Sequence, residues 1–485
     1  MPTDAEIELR AELEMGFNPL LERAAPFIKF GDLPQRLKSS PLEGKNWKSI
    51  PPEAREPLLE YASQQIVPTS TMLEPSAGLQ RLFRRGLSLQ NPVKLEQRLR
   101  TARIATLRVP AQMSGLPSLG GAGGLWASPT GMGKSMLAKR VLEVICPDQV
   151  IEHDPCREAG WQHLTQCCYL YIDHPSNGTR GGLLKRILLA LDQALFTDYS
   201  EQYERVTNID TLLVTVSKLM IAHRVALLVI DENQSRNFLE SPWQIEFVLF
   251  YLGLMNLGIS VLLLGNSVAF DHLKSFSQVM RRFSVGGVFD FFPAKDADPW
   301  WCDEFVPGMR KFSLVEKCSI EENSRTRREN EACAGFPGLF EAFQTEAQRS
   351  ALRRGGHEAI LTSQDFDEAL VSPRYLALAE VARSVREKSG EFADLSSTES
   401  EQSSTLNSDI GRFSRSNANV ISSLLGRYKA EQTRLTNSFT RKMRALEALS
   451  PEDLRMLGAS DAMLAQLIEG SPFVKGVKKP KRAKS

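Results

Sequence analysis

The sequence predicts an α/β protein whose core is a parallel sheet covered by helices on both faces. Three observations carry that prediction. Continuous apolar runs of strand length, CCYLYID (167–173), ALLVIDEN (226–233) and ISVLLLGN (259–266), alternate with helix-length runs. Unbroken apolar strands are those buried on both sides. The octet SPTGMGKS (128–135) resembles a phosphate-binding loop and runs straight into a helical pattern. The second apolar strand ends on paired acids, Asp231 and Glu232.

The elements follow in order. Residues 1 to about 80 are punctuated by ten prolines, with short helical patterns between them, and read as an irregular extension. From Arg81 to Arg108 eight cations face one acid, Glu96, and a Gly-rich hinge, GLPSLGGAGGL, leads into the octet. After Ser135, Met136, Leu137, Val141, Leu142 and Ile145 recur at helical spacing, so a helix begins at Lys134. LLKRILLALDQALF and WQIEFVLFYLGLMNLG read as helices between the strands, and residues 313–388 as helical only. Eight serines fall within residues 396–416, the composition of a flexible linker. A last helical section spans about 418–470. In it Ser450 is a good cap, with Pro451 at the first turn and acids following. The chain closes on six cations in KGVKKPKRAKS.

Composition narrows the function classes. Lys+Arg number 59 against 58 Asp+Glu, so whole-chain charge gives no pull toward nucleic acid or membrane. No apolar run reaches the roughly 18–20 residues that span a bilayer, and the acidic N-terminus is unlike a signal sequence. Cytosolic residence is therefore expected. The seven cysteines include no C-x-x-C pair and the six histidines have no metal-ligand spacing, so incidental thiols are expected rather than zinc.

A phosphate loop needs backbone N–H groups converging at a helix N-terminus, a lysine for the β- and γ-phosphates and a hydroxyl for Mg²⁺. Gly131 and Gly133 let the backbone approach, Lys134 supplies the charge and Ser135 the hydroxyl. Ser128 stands where the pattern has its first glycine; Pro129, Thr130, Met132 and Met136 complete the cradle. About a hundred residues downstream, Asp231 is placed to hold magnesium through water and Glu232 to polarise the attacking water. Asn266 ends the third strand, at the edge where open α/β sheets bind ligands, and suits a sensor of the γ-phosphate. In QVMRRFS, Arg281 or Arg282 suits an arginine finger reaching a neighbouring subunit's nucleotide; a solvated helix end explains the pair nearly as well.

The order of phosphate loop, acid-ending strand, Asn-ending strand, arginine pair and helical section resembles the AAA+ ATPases. YLYIDHPSNGTRGGLLKRILLALDQAL, ALLVIDENQ and the RRF segment followed by DPWWCDEFVPGM look like the TnsC/TniB branch, the ATPase regulators of target-selecting bacterial transposons. FNPLLERAAPFI looks like the start of the larger TnsC members. The resemblance spans residues 95–350 well, the N-terminus weakly and the last hundred residues hardly at all.

It implies an AAA+ P-loop NTPase with a parallel-sheet core at 95–312 and a helical lid at 313–388. Around these lie an N-terminal extension (1–94) suited to docking a target selector, a Ser-rich linker (389–417) and C-terminal helices with a basic tail (418–485) suited to docking a transposase. The cofactors it implies are ATP and Mg²⁺. The partners are duplex DNA without strong sequence preference, the transposase, the target-selection protein and further copies in a ring or helical filament, in the bacterial cytoplasm and with no membrane. Many AAA+ proteins carry an arginine where the lid helix begins; GFPGLF (335–340) has none, which suits slow, switch-like hydrolysis. The run at 81–108 and Arg180 with Lys185 are candidates for DNA phosphates, or for a solvated or packed helix. Two other readings are a STAND-type signalling NTPase, for which no repeat array is visible, and a replication-initiator-like ATPase, for which no reader domain follows the lid.

Overall fold

The protein is described here from a computed structural model, which covers residues 16–24, 26–110, 112, 116–175, 178–233, 244–266, 270, 277–295, 298–355 and 359–387. The chain divides into two compact units, Met1–Ser397 and Thr398–Ser485, and every described residue lies in the first. The serine-rich linker, the C-terminal helical section (about 418–470) with its cap at Ser450, and the basic tail lie outside the described residues.

Among the described residues, short helical turns at Pro19–Glu22 and Leu33–Leu37 and two longer helices, α1 (Ser70–Leu89) and α2 (Leu95–Thr106), precede the sheet. Then come β1 (Gly123–Ala127), α3 (Lys134–Ile145), β2 (Val150–His153), β3 (Leu164–Cys167) and β4 (Tyr169–Asp173). After α4 (Arg180–Leu195) and α5 (Ile209–Ala222) follow β5 (Leu227–Asn233), α6 (Gln244–Asn256), β6 (Ser260–Gly265), α7 (Ser277–Phe283) and β7 (Val288–Asp290). Five strands form one sheet in the order β4-β5-β6-β1-β7, with every neighbouring pair parallel. β2 and β3 form a separate antiparallel pair. The run CCYLYID therefore splits at Cys168: Cys167 ends the hairpin and Tyr169 begins the sheet strand. Both halves are apolar, so composition gave no sign of the break.

Side-chain alternation builds two cores. Leu125, Leu228, Ile230, Val261 and Leu263 face α4, α5 and α6. Trp126, Leu227, Val229, Leu262 and Leu264 face α1 and α3. Alternate residues of one strand point to opposite faces, so a strand covered on both sides is apolar at every position.

The N-terminal region is more integrated than an irregular extension. Leu20, Leu21, Leu33 and Leu37 are buried with α1 in the second core. Asn18 caps the turn Pro19–Glu22, accepting from Leu20 N at 3.1 Å, and donates to Leu87 O at 3.1 Å. α1 lies close over the start of the sheet. A Cβ on Gly86 would stand 2.1 Å from Ala226 O, and one on Gly78 2.1 Å from Gly286 O. Gly86→Ala should therefore lower stability by roughly 1–3 kcal/mol through overpacking, although alanine is the better helix former by about 1 kcal/mol. Unchanged thermal unfolding in this variant would refute the close approach.

The third core belongs to the lid. It gathers Trp301, Phe305, Phe336, Phe340, Phe343 and Phe366 from the stretch around Trp300–Phe305 and from helices α8 (Glu322–Cys333), α9 (Pro337–Gly355) and α10 (Ser363–Leu370). A last helix, α11 (Pro373–Glu387), packs on α9 through Tyr375. The region read as helical only also holds a two-residue parallel pair, Lys317–Cys318 with Ile360–Leu361, too short to leave a periodic trace in sequence. Leu59 and Ala62 from the N-terminal region complete this core. The described residues among the first ninety thus pack partly on the sheet and partly on the lid.

Candidate nucleotide site

The carboxyl ends of the strands bring the predicted residues to one edge. The phosphate-loop octet follows β1, which lies between β6 and β7. Ser128 is buried; its N–H donates to Gly265 O at 3.0 Å and its hydroxyl to Pro129 O at 2.9 Å. Among the described residues, the only non-glycines with positive φ are Phe196, Arg224 and Ala334, so the Ser128 backbone does not need glycine's freedom. That answers why serine can stand at the head of the octet. The freedom is spent further on, at Gly131 (φ 87°) and Gly133 (φ 80°), which turn the backbone into the N-terminus of α3. Pro129 is buried and Thr130 and Gly131 are exposed; Gly133, Lys134, Ser135 and Met136 are half-buried. Lys134 is the first residue of α3, where free N–H groups and the helix dipole favour an anion.

The loop is also held by the lid. Met132 is buried in the lid core, and Gly338 N donates to Gly131 O at 2.9 Å. α9 thus begins against the phosphate loop, at the turn that carries no arginine.

β5 supplies the acids. Its pairing with β6 shifts between Ile230 and Asn233, so Asp231 and Glu232 sit at an irregularity that re-aims side chains. Asp231 is buried (4 % exposed) and pairs in register with Asp173 of β4, and its carbonyl accepts from His174 N at 2.8 Å. The Tyr171 hydroxyl donates a short hydrogen bond to Asp231 Oδ2. Glu232 lies in β5 beside Asp231; its side chain lies outside what the structure describes. Asn266 follows β6, half-buried, at the same edge as the loop. Burial lowers the pKa of the His174 imidazole to about 4, against the opposing effect of a backbone hydrogen bond at Pro175, so the ring is neutral at neutral pH. It packs 5.2 Å from Phe247.

The arginine pair is divided. Arg282 points inward and donates to Asn256 Oδ1 at 2.7 Å and to Leu252 O at 3.5 Å, at the C-terminal end of α6. Arg100 reaches the same end, donating to Asn256 O at 2.9 Å and to Pro117 O. Arg100 thus donates to a carbonyl of the last helical turn, whereas the close contact of Arg282 is with the Asn256 side-chain amide. Arg281 is exposed. The basic run is divided likewise. Arg84 is buried, Arg85 donates to Gly120 O, and Arg81, Lys94, Arg103 and Arg108 face solvent. Lys185 donates to Glu204 O at 3.2 Å, and Arg180 is half-buried at the start of α4. Sequence reasoning passed over Tyr171, Asp173 and His174. They lie in YIDHP, and only the pairing of β4 with β5 sets them beside Asp231.

The residues present fit a nucleoside triphosphate with its metal: a loop cradle with two positive-φ glycines, a lysine and a hydroxyl at a helix start, and a buried carboxylate on β5, two strands from β1 at the same edge. The strand order, with a phosphate loop after β1 and acids ending β5, defines a P-loop NTPase of the AAA+ class. Residues 125–291, from β1 to just past β7, match the model of the TniB family, described as "Bacterial TniB protein". Over that stretch the chain is TniB-like, and the resemblance read from its motifs stands. A search of curated proteins finds no match.

Among solved structures, the chain is similar to the ORC2 protein of Aeropyrum pernix in ADPNP–ADP complexes, at 15% identity over 57% of this chain and 68% of that one, with a TM-score of 0.35. Cdc6p of Pyrobaculum aerophilum aligns at 13% identity over 54% of this chain, with a TM-score of 0.35; the chain spans 63% of that protein, less than two thirds of its length. ORC1 of Aeropyrum pernix, in complex with DNA, aligns at 15% identity over 60% and 67%, with a TM-score of 0.34. Among the described residues, no helix is long and apolar enough to cross a membrane.

Proposed function

We propose that this protein is an ATP-dependent regulator of transposition that assembles as a ring or filament on duplex DNA and links target selection to the transposase, with hydrolysis resetting the assembly. The observation that carries the reading is the convergence of the phosphate loop, Asp231 and Asn266 at one sheet edge within a TniB-like stretch. Lys134 and the loop amides would hold the phosphates, and Ser135 and Asp231 the magnesium. The bound ion would neutralise charge on the phosphate oxygens. Glu232 would draw a proton from the attacking water, and Asn266 would hold that water near the γ-phosphate. The contact of α9 with Gly131 gives a path by which an occupied loop biases the lid. With no arginine at that helix start, slow hydrolysis suits a switch.

The finger role goes to Arg281. Arg282 is engaged at the end of α6, whereas Arg281 is exposed and available to a neighbouring copy. Arg281→Ala should slow hydrolysis within the assembly by about a thousandfold while leaving nucleotide binding intact. Arg282→Ala should mainly cost stability, about 1 kcal/mol. A larger hydrolysis defect in Arg282→Ala, at unchanged melting temperature, would reverse the assignment.

The deciding experiment is binding to a random-sequence duplex with ATP, ADP or no nucleotide, read by anisotropy and negative-stain imaging. Tight binding with ATP alone, as rings or filaments, is the expected result. Nucleotide binding with no affinity for DNA in any state would refute the proposal. The exposed cations Arg81, Lys94, Arg103 and Arg108 are the first to neutralise, and each that meets a phosphate should reduce the salt dependence of binding by about one charge.

A further inference from the structure

We propose that residues 39–66 form an arm that latches the lid against the phosphate loop, with Glu56 and Glu60 as the catch and helix α9 as the lever, so that opening the catch speeds nucleotide release. The role in release rests on the nucleotide-site reading above, whereas the mechanical coupling stands apart from it.

The arm is closed at its base. Ser39 and Ile66 pair antiparallel, Ser39 N donating to Ile66 O at 3.2 Å and Ile66 N to Ser39 O at 2.9 Å. Arg140 of α3 fastens that base to the phosphate-loop helix. Its guanidinium donates to Arg36 O at 3.2 Å, Leu37 O at 2.9 Å and Lys38 O at 3.1 Å. The body of the arm belongs to the lid instead. Leu59 and Ala62 are buried in the lid core. Arg55, 5 % exposed, donates to Leu314 O at 3.0 Å and, within the arm, to Ile50 O at 2.7 Å and Lys48 O at 3.0 Å. Pro41, Pro51, Pro52 and Pro57 fix φ at four positions, so the arm has little freedom to yield.

Helix α9 is therefore held near both ends. Gly338, its second residue, donates to Gly131 O of the phosphate loop at 2.9 Å. Roughly 16–23 Å further along, at about 1.5 Å of rise per residue, the arm takes hold. There Arg349 pairs with Glu60 at 2.7 Å and with Glu56 at 3.5 Å, and Arg353 Nε donates to both Glu56 oxygens at 3.1 Å. A stiff helix pinned at two points cannot tilt at one without straining the other. The three pairs are partly exposed, so each contributes modestly and the catch can open while the lid stays folded. Arg349 also pairs with Glu346 of its own helix at 2.6 Å, so it keeps a partner when the catch opens.

Hydrogen exchange read by mass spectrometry follows the lever directly. It is measured on the full chain for wild type, Glu56→Gln/Glu60→Gln and Lys134→Ala, together with the release rate of a fluorescent ADP analogue. In the Glu56→Gln/Glu60→Gln protein, exchange in the peptide containing Gly338 should rise about fivefold, with peptides of β5 and β6 unchanged, and release should quicken by about the same factor, the combined effect of three exposed pairs. Unchanged exchange at Gly338 overturns the inference. So does exchange raised equally across the sheet, the mark of general destabilisation. If Gly338 is freed but release keeps the wild-type rate, while Lys134→Ala binds the analogue weakly, the latch role is overturned. If Lys134→Ala holds the analogue as wild type does, the nucleotide-site reading has failed and the role in release with it, while exchange at Gly338 still decides the coupling.

Discussion

Lys134→Ala is expected to lower nucleotide affinity by about a hundredfold or more and to abolish every ATP-dependent property of the protein. The size follows from place and chemistry. Lys134 opens α3 directly after Gly133, where the backbone turns through positive φ and the helix presents its free N–H groups. An ammonium there would bond to two phosphates, and hydrogen bonds to charged groups contribute about 1.5–3 kcal/mol each. A tenfold change in affinity corresponds to about 1.4 kcal/mol, so losing both contacts gives the expected factor. The fold should survive, because the residue is half-buried at a helix start rather than in a core. Isothermal titration with ATP and ADP, paired with a melting curve, checks both halves. Wild-type affinity in a folded Lys134→Ala protein would remove the phosphate-loop assignment and, with it, the proposed switch.

Glu329→Ala is expected to be the most destabilising single change in the lid. Glu329 is fully buried, and its carboxylate accepts from Arg310, Arg325 and Gln344. Arg310 donates to Oε2 from Nε at 3.0 Å and from its other nitrogen at 2.5 Å. Arg325, one turn earlier on α8, donates to Oε1 at 2.9 Å, and Gln344 of α9 donates to the same oxygen at 2.5 Å. Removing the carboxylate leaves two guanidinium groups together with little water to solvate them. Breaking a buried pair from one side costs about 3–5 kcal/mol, a melting shift of roughly 10 °C for a domain of this size. Glu329→Gln keeps the shape and part of the bonding, so it should lose less than Glu329→Ala. A loss below about 1 kcal/mol in Glu329→Ala would show that the network is better solvated than its burial implies.

These variants differ in how visible their residues were in the sequence. Lys134 stood out in a short pattern whose spacing is itself the chemistry. Glu329 did not: ENSRTRRENEAC (322–333) is almost wholly hydrophilic, the composition of a solvated helix. Its burial depends on Arg310 and Gln344 arriving from other elements. The arginine pair shows the same limit. Arg281 and Arg282 are adjacent and chemically identical, so nothing local distinguishes them. The end of α6 does so, by holding Arg282 through the Asn256 side chain. The proline-rich start misled for a related reason. Its short turns have no sustained period, yet Leu20, Leu33 and Leu37 are buried because α1 and the sheet offer them a surface.

The sequence by itself determined three of the five sheet strands and the helix that opens at Lys134, the loop glycines Gly131 and Gly133, and the acids at the end of β5; β1, read as part of a Gly-rich hinge, and β7 came only from the structure. Each of the former is written within a few neighbouring residues, because side-chain period and backbone freedom act over one or two turns of chain. Only the tertiary structure decided that Tyr171 meets Asp231, that the start of α9 rests on Gly131, and that the described N-terminal residues pack on both sheet and lid. Those contacts join residues far apart along the chain. They are selected by which surfaces must leave water together, a choice made by the whole packed molecule rather than by any stretch of it.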